Sequence, residues 1–129
     1  MSAPAILDTS LLIGDEHGRP LERALPDRVA ISVVTLAELE VGVLVAPDQA
    51  TRARRLATLT ETRAQLQGLP ADERVASAYA RLAAQAIEAG RRPRIHDTWI
   101  AATAVVHDAE VWTRDKDFSS FEGVPVVRC

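Results

Sequence analysis

Four acidic residues that are far apart in the 129-residue chain stand beside short apolar segments. They are Asp8, Glu38, Asp97 and Asp115. If folding brings four carboxylates together without Lys or Arg partners, they repel one another, and a divalent cation relieves that repulsion. Mg²⁺ and Mn²⁺ prefer oxygen ligands, and an ion held in this way activates water and neutralises the charge that develops on a phosphodiester. The four acids therefore suggest metal-dependent hydrolysis of phosphodiesters.

Each of these acids also has a structural role open to it. Asp8 directly follows the apolar run 5–7, where it either points into a crevice at a strand end or caps the next turn. Glu38 either joins the site or forms a capping box with Thr35, and Asp97 would also be favoured by the dipole of a helix that it begins. Burying Glu38 unpaired is costly, which favours a cation nearby.

Two further acids compete with members of this set. Glu40 lies about 200° round the helix from Glu38, so only one of the two glutamates faces a shared site. We assign Glu38 to the site and expect Glu40 at the surface. Asp115 is preferred to Asp117 because it lies two residues beyond a predicted strand, whereas Asp117 adjoins Phe118.

The elements that must position these acids alternate between strands and helices. Strands are predicted near residues 5–7, 29–31, 111–113 and 124–127, and helices over 34–46 and 48–66, from Asp72 to Gly90, and from Asp97 onward. This alternation predicts an α/β fold, with a mostly parallel sheet of four or five strands flanked by helices. Ligands of such sheets gather beyond the carboxyl ends of the strands. The helix over 34–46 is apolar nearly all round and is expected to be buried on more than one side.

Composition limits the class of protein. Hydrophobic residues make up 47% of the chain and charged residues 26%, which is typical of a globular protein, and 129 residues suit one domain spanning 1–129. No apolar run reaches the length of a membrane span, and the N-terminus does not resemble a secretory signal, so we expect a cytoplasmic protein with no membrane partner. The net charge of −3 argues against nucleic-acid binding by charge alone.

Other common active-site chemistries lack their motifs. Cys129 is the single cysteine, and His17, His96 and His107 do not have the spacing of zinc ligands. Ser10 is not in a G-x-S-x-G elbow, and the six glycines form no phosphate-binding loop.

Four segments of the chain resemble the signature segments of PIN-domain proteins. They are Ile-Leu-Asp-Thr-Ser at 6–10, Ser-Val-Val-Thr-Leu-Ala-Glu-Leu-Glu-Val-Gly at 32–42, His-Asp-Thr-Trp-Ile-Ala-Ala at 96–102 and Thr-Arg-Asp-Lys-Asp-Phe at 113–118. Their order and spacing resemble VapC-type toxins of bacterial toxin–antitoxin pairs. The resemblance implies a Mg²⁺- or Mn²⁺-dependent endoribonuclease whose metal-binding carboxylates are Asp8, Glu38, Asp97 and Asp115. It also implies a homodimer and inhibition by a cognate antitoxin protein.

Several residues near the four acids have possible auxiliary roles. Hydroxyls of Thr9, Ser10 and Thr113 would orient a carboxylate or hold a water, although turns and caps also use such residues. Four arginines would contact RNA phosphates unless they are solvated surface charges: Arg91, Arg92, Arg94 and Arg114. Because five of the 18 acids belong to this region, the acidic balance does not exclude RNA once metal is bound.

Two other functions compete with a nuclease. In a non-catalytic interaction module, the helix over 34–46, together with Leu11, Leu12 and Leu25, would offer a groove to an amphipathic partner helix. A haloacid-dehalogenase-like, metal-dependent phosphatase would need a second Asp two residues after Asp8, where this chain has Ser10.

Overall fold

The fold is a five-stranded parallel sheet with helices on both faces. The computed structural model describes residues 3–129, except for the side chain of Asp15. The strands are β1 (Ala5–Leu7), β2 (Val29–Ser32), β3 (Gln67–Leu69), β4 (Glu110–Thr113) and β5 (Val126–Arg128). The helices are α1 (Thr9–Glu16), α2 (Val33–Leu44), α3 (Gln49–Gln65), α4 (Glu73–Glu88) and α5 (Ile95–Val106). The predicted α/β class is confirmed, with five strands. None of the helices in the described part of the chain is long and apolar enough to cross a membrane.

Strand order places the carboxyl end of β1 at the centre of one edge. The order is β3-β2-β1-β4-β5, and all four pairs are parallel. The chain runs outward from β1 through β2 to β3, then returns to the other side of β1 with β4. Strand order therefore reverses at β1, and a crevice forms at such a point in an open parallel sheet. Asp8 directly follows β1, so it lies at this reversal.

Each face of the sheet carries its own core. Ile6 points to the face covered by α4 and α5, where it joins Ile100 and Val111. Its neighbours Ala5 and Leu7 point to the opposite face, because side chains alternate along a strand. Helices α1, α2 and α3 cover that second face. With β1 packed from both sides, the residue after it has a fixed position.

The ends of α3 and α4 agree with the residues that predicted them. Asp48 and Asp72 cap α3 and α4 with their carboxylates, and Gly90 adopts a φ of 75° just after α4.

The strand β3 was not predicted, because Gln67-Gly68-Leu69 shows no apolar run. It is an edge strand with a single buried residue, Leu69, so its pairing with β2 leaves little trace in the sequence.

The prediction that the helix over 34–46 is buried on several sides is wrong. Thr35, Leu39 and Val43 of α2 are buried, whereas Val41 is 56% and Leu44 is 62% exposed. One face of α2 packs on the protein, and its other face remains apolar and open.

The partner groove predicted between this helix and three leucines is also different in the structure. Leu11, Leu12 and Leu25 line an apolar cavity of about 750 Å³, and α3 supplies its other wall in place of α2. The three leucines and α2 therefore do not form the predicted groove, while the apolar face of α2 remains exposed.

Gly14 of α1 packs against the side chain of Arg114, which lies in the segment after β4. A Cβ at this position would overlap Nε of Arg114, whose guanidinium also donates to the carbonyl of Arg19. Alanine is favoured over glycine in a helix by about 1 kcal/mol, but overpacking costs about 1–3 kcal/mol. We expect Gly14→Ala to lower the free energy of unfolding in a urea titration. In an Arg114→Ala background the same change should stabilise α1, and equal destabilisation in both backgrounds would contradict this packing.

Candidate active site

One open cleft brings the four predicted carboxylates together. Its volume is about 770 Å³, and its lining includes Asp8, Glu38, Asp97 and Asp115. They come from the end of β1, from α2, from α5 and from the segment after β4. The parallel topology places all four at the same edge of the sheet.

Asp8 is held in one orientation by hydroxyl groups. It is 7% exposed, and its Oδ2 accepts hydrogen bonds from Ser10 Oγ and Thr113 Oγ1, both at 2.8 Å. The same hydroxyls accept from the backbone after β4, where Arg114 N lies 2.9 Å from Ser10 Oγ and Asp115 N lies 3.0 Å from Thr113 Oγ1. Ser10 and Thr113 therefore couple the orientation of Asp8 to the loop that carries Asp115.

Glu38 faces the cleft from within α2. Its Oε1 accepts a hydrogen bond of 2.9 Å from Thr9 Oγ1, and its Oε2 lies 3.4 Å from His96 Nδ1. Burial raises the pKa of Glu38 above its ordinary value, and the hydrogen bond from Thr9 opposes this rise. The alternative role of Glu38, a capping box with Thr35, is excluded, because Ser32 caps α2 and Thr35 is the third residue of the helix.

Asp97 lies in the first turn of α5, which begins two residues before the predicted start. The helix begins at Ile95, so Asp97 does not open it. Its Oδ2 accepts from the backbone N of Ser119 at 3.1 Å and from Ser119 Oγ at 3.2 Å, and Arg94 Nε lies 3.7 Å away. Burial is the largest influence on this carboxyl and raises its pKa, although Ser119 and Arg94 act in the opposite direction.

These observations match a known family. The sequence profile of the PIN domain matches residues 5–124. The chain belongs to the PIN domain family. Ribonuclease VapC5 of Mycobacterium tuberculosis is 51% identical over 126 residues, which cover 97% of this chain and 93% of that protein. Ribonuclease VapC4 of the same organism is 41% identical over 128 residues, covering 95% of each.

A solved structure extends the similarity to the whole fold. The crystal structure of a member of the VapBC family of toxin–antitoxin systems, VapBC-5 from Mycobacterium tuberculosis, matches with a TM-score of 0.84. The match has 43% sequence identity and covers 99% of this chain and 100% of that one. The resemblance to PIN-domain proteins that the four sequence segments indicated is confirmed.

The four arginines near the site of this PIN domain fall into three groups. Arg92 and Arg94 line the carboxylate cleft, and Arg91 lines a cavity next to it. Arg114 instead packs against Gly14 and lines the apolar cavity beside α3. The predicted phosphate contact of Arg114 is therefore not supported, because its side chain lies on another side of α1.

Two residues that contact the cleft carboxylates were missed as site residues in the sequence. His96 adjoins Glu38, and Ser119 donates two hydrogen bonds to Asp97. His96 precedes Asp97 in the chain, so the motif itself could have drawn attention to it. Ser119 lies 22 positions after Asp97, and no spacing rule connects the two.

The donor set of the PIN domain fits a hydrated divalent ion. All four carboxylates offer oxygen, and the charge of Asp8 raises the pKa of both Glu38 and Asp97. Within residues 3–129, leaving aside the Asp15 side chain, no three acidic, histidine or cysteine side chains form a compact metal-binding group. Mg²⁺ commonly keeps several waters and is held by one or two carboxylates, so it does not need such a group.

The segment after β4 separates the two acids that compete for the fourth position. Asp115 lines the cleft, and its Oδ1 accepts a hydrogen bond of 2.8 Å from the backbone N of Asp117. The side chain of Asp117 is exposed. Asp115 is therefore the better candidate.

Paired substitutions test this choice. We expect Asp115→Asn to lower kcat for RNA cleavage by about 10- to 100-fold, as removing a group that supports a metal site does. Asp117→Asn should change kcat less than twofold, because its carboxylate lies outside the cleft. A larger loss in Asp117→Asn than in Asp115→Asn would reverse the assignment.

Proposed function

We propose that this protein is a Mg²⁺- or Mn²⁺-dependent endoribonuclease, the toxin component of a VapBC-type toxin–antitoxin system. The observation that carries the proposal is the convergence of Asp8, Glu38, Asp97 and Asp115 on one cleft. The relatives VapC5 and VapC4 are named ribonucleases, which supports RNA as the substrate. A haloacid-dehalogenase-like phosphatase would need a second acid two residues after Asp8, but that position is Ser10, whose hydroxyl donates to Asp8.

Each carboxylate has a role in the proposed reaction. Asp8 and Asp97 would anchor the ion, and Asp115 would complete the oxygen-rich surroundings. The ion supplies activation of water and neutralisation of the charge on the phosphodiester. Glu38 orients the attacking water, and its raised pKa makes its carboxylate a better proton acceptor than an exposed glutamate. Thr9 donates to Oε1 of Glu38 and His96 lies 3.4 Å from Oε2, so the carboxylate is held in position beside the cleft.

The partners follow from the same proposal. VapBC-5 is a toxin–antitoxin system, so we propose a cognate antitoxin protein as the inhibitor of this chain. We further propose a homodimer, a single domain over residues 1–129, and a cytoplasmic location, where RNA substrates are found.

RNA cleavage by the purified protein tests the proposal. A mixed-sequence single-stranded RNA should be cut internally with Mg²⁺ or Mn²⁺ and should survive with EDTA. Attack by water does not need the 2′-hydroxyl, so 2′-fluoro substitution at the scissile nucleotide should be tolerated and no cyclic phosphate should form. Cleavage that persists in EDTA, or products ending in a 2′,3′-cyclic phosphate, would refute the proposed mechanism.

A further inference from the structure

A second, smaller cavity lies directly beside the carboxylate cleft. Its volume is about 160 Å³, and it sits between the end of α4 and the segment that follows β4. Residues 92–94 line both cavities, so this short basic segment is the wall between them. A group in the small cavity would be a close neighbour of a group in the cleft.

The lining of the small cavity combines apolar side chains with polar and charged ones, among them Gln85, Ser120 and Glu122. Leu82 and Ala86 of α4 are buried, and Phe121 is half-buried with its ring edge-on to Phe118, at a centroid distance of 6.2 Å. Arg91 also lines the cavity and is exposed. Nucleobases stack on aromatic side chains of this kind, and arginine in the same cavity adds to such binding.

The small cavity is joined to the proposed metal site by hydrogen bonds. Ser119 lines the cavity and donates to Asp97 from both its backbone N and its Oγ. Arg94 lies 3.7 Å from Asp97 and also donates to the carbonyl of Asp117. The wall therefore has a fixed relation to the carboxylates, as a subsite next to a reacting phosphate requires.

The volume of the small cavity limits the size of the ring that it can hold. An apolar cavity of about 150 Å³ in another protein holds one benzene molecule. A cavity of about 160 Å³ therefore takes one six-membered ring, which matches a pyrimidine and is too small for the fused rings of a purine.

We propose that this cavity is a base-binding subsite that receives a pyrimidine next to the scissile phosphate. The inference rests on the proposed ribonuclease function and deepens it by naming a determinant of substrate choice. Arg92 and Arg94, on the shared wall, contact the phosphate that links the bound base to the nucleotide in the cleft. Phe121 provides the stacking surface, and the size of the cavity rejects purines.

Binding of short RNAs tests the subsite without relying on cleavage. The Asp8→Asn protein is titrated with fluorescently labelled hexamers of uridine, cytidine and adenosine. We expect the two pyrimidine hexamers to bind at least about fivefold more tightly than the adenosine hexamer, the lower end of what one stacked base contributes. Equal affinities for all three would overturn the proposal.

Filling the cavity provides the matched comparison. Ala89 lines the cavity and is exposed at the end of α4, so Ala89→Leu fills the space without disturbing the core. Ala84 is an exposed residue of the same helix outside the cavity, and Ala84→Leu is the control. The pyrimidine preference should disappear in Ala89→Leu and persist in Ala84→Leu. Ser120→Leu fills the cavity from the opposite wall and serves if Ala89→Leu unfolds. Survival of the preference in the folded filled variants would refute the subsite.

Cleavage mapping separates this inference from the function on which it rests. The unmodified protein and its Ala89→Leu variant are incubated with a mixed-sequence RNA and Mn²⁺, and the positions of the cuts are determined by sequencing. Cutting with no base preference next to the cut site would overturn the subsite alone. Absence of cutting in the unmodified protein, with the pyrimidine preference in binding intact, would overturn the ribonuclease proposal and leave a pyrimidine-binding cavity.

Discussion

Replacing Asp8 with asparagine is expected to reduce metal-dependent RNA cleavage by at least about 100-fold, because even groups that only support a metal ligand contribute about 10- to 100-fold. The amide keeps the shape of the side chain, and its oxygen can still accept from Ser10 and Thr113. Its NH₂ group then points into the cleft, where a donor repels a cation. The fold should persist, since the change also removes one of several neighbouring negative charges.

The comparison for Asp8→Asn uses an acid outside the cleft. Asp27 is exposed before β2, so Asp27→Asn should leave both kcat and thermal unfolding unchanged. Circular dichroism and the unfolding temperature establish that Asp8→Asn is folded before its activity is judged. Undiminished cleavage by folded Asp8→Asn protein would remove Asp8 from the site.

The sequence predicted the central part of the fold because its signals are local. The apolar runs that form β1, β2 and β4 are visible in a few residues, and Asp48 and Asp72 mark helix starts by chemistry confined to one turn. In contrast, β3 depends on pairing with β2 along the sheet edge. The residues of Gln67–Leu69 carry no local pattern that predicts this pairing, which is visible only in the folded sheet.

The candidate site shows the same division between local and long-range information. Positions after strands indicated that Asp8 and Asp115 would meet, because parallel strands end at a common edge. The direction of a long side chain is decided by packing, and Arg114 illustrates this. Arg114 follows β4 next to Asp115, but its side chain packs against Gly14 and so lies on the other side of α1. Proximity in sequence therefore correctly located Arg92 and Arg94 at the cleft but misplaced Arg114.

Burial of the cleft carboxylates also explains why we expect metal binding to stabilise the folded protein. Burial raises the pKa of Glu38 and of Asp97, so the folded protein holds these protons to a higher pH than the unfolded chain does. As the pH rises from the ordinary carboxyl range through these raised values, the metal-free protein therefore loses stability. A bound cation offsets this loss, because it favours the same carboxylates in their charged form.

Mn²⁺ is consequently expected to raise the unfolding temperature, and to do so more at pH 7.5 than at pH 5. At a free concentration about 100 times the dissociation constant, a ligand of the folded state stabilises it by about 2.7 kcal/mol. For a chain of this length that corresponds to a shift on the order of 10 °C. Protons compete with the ion at low pH, since Glu38 and Asp97 retain them there. Differential scanning fluorimetry with Mn²⁺ and with EDTA measures both effects.

Substitutions of Glu38 and of its neighbour Glu40 on α2 test whether this rise in unfolding temperature comes from the cleft. Glu38→Gln should reduce the stabilisation by Mn²⁺ and should raise the stability of the metal-free protein at pH 7.5, because a neutral amide replaces a carboxylate that is repelled by Asp8 and Asp97. Glu40 is exposed and lies 3.3 Å from Arg63, a surface pair worth at most about 1 kcal/mol. Glu40→Gln should therefore leave the Mn²⁺ shift unchanged. An equal shift in the unmodified protein and in Glu38→Gln would exclude Glu38 from the metal site, and no shift in the unmodified protein would exclude the site itself.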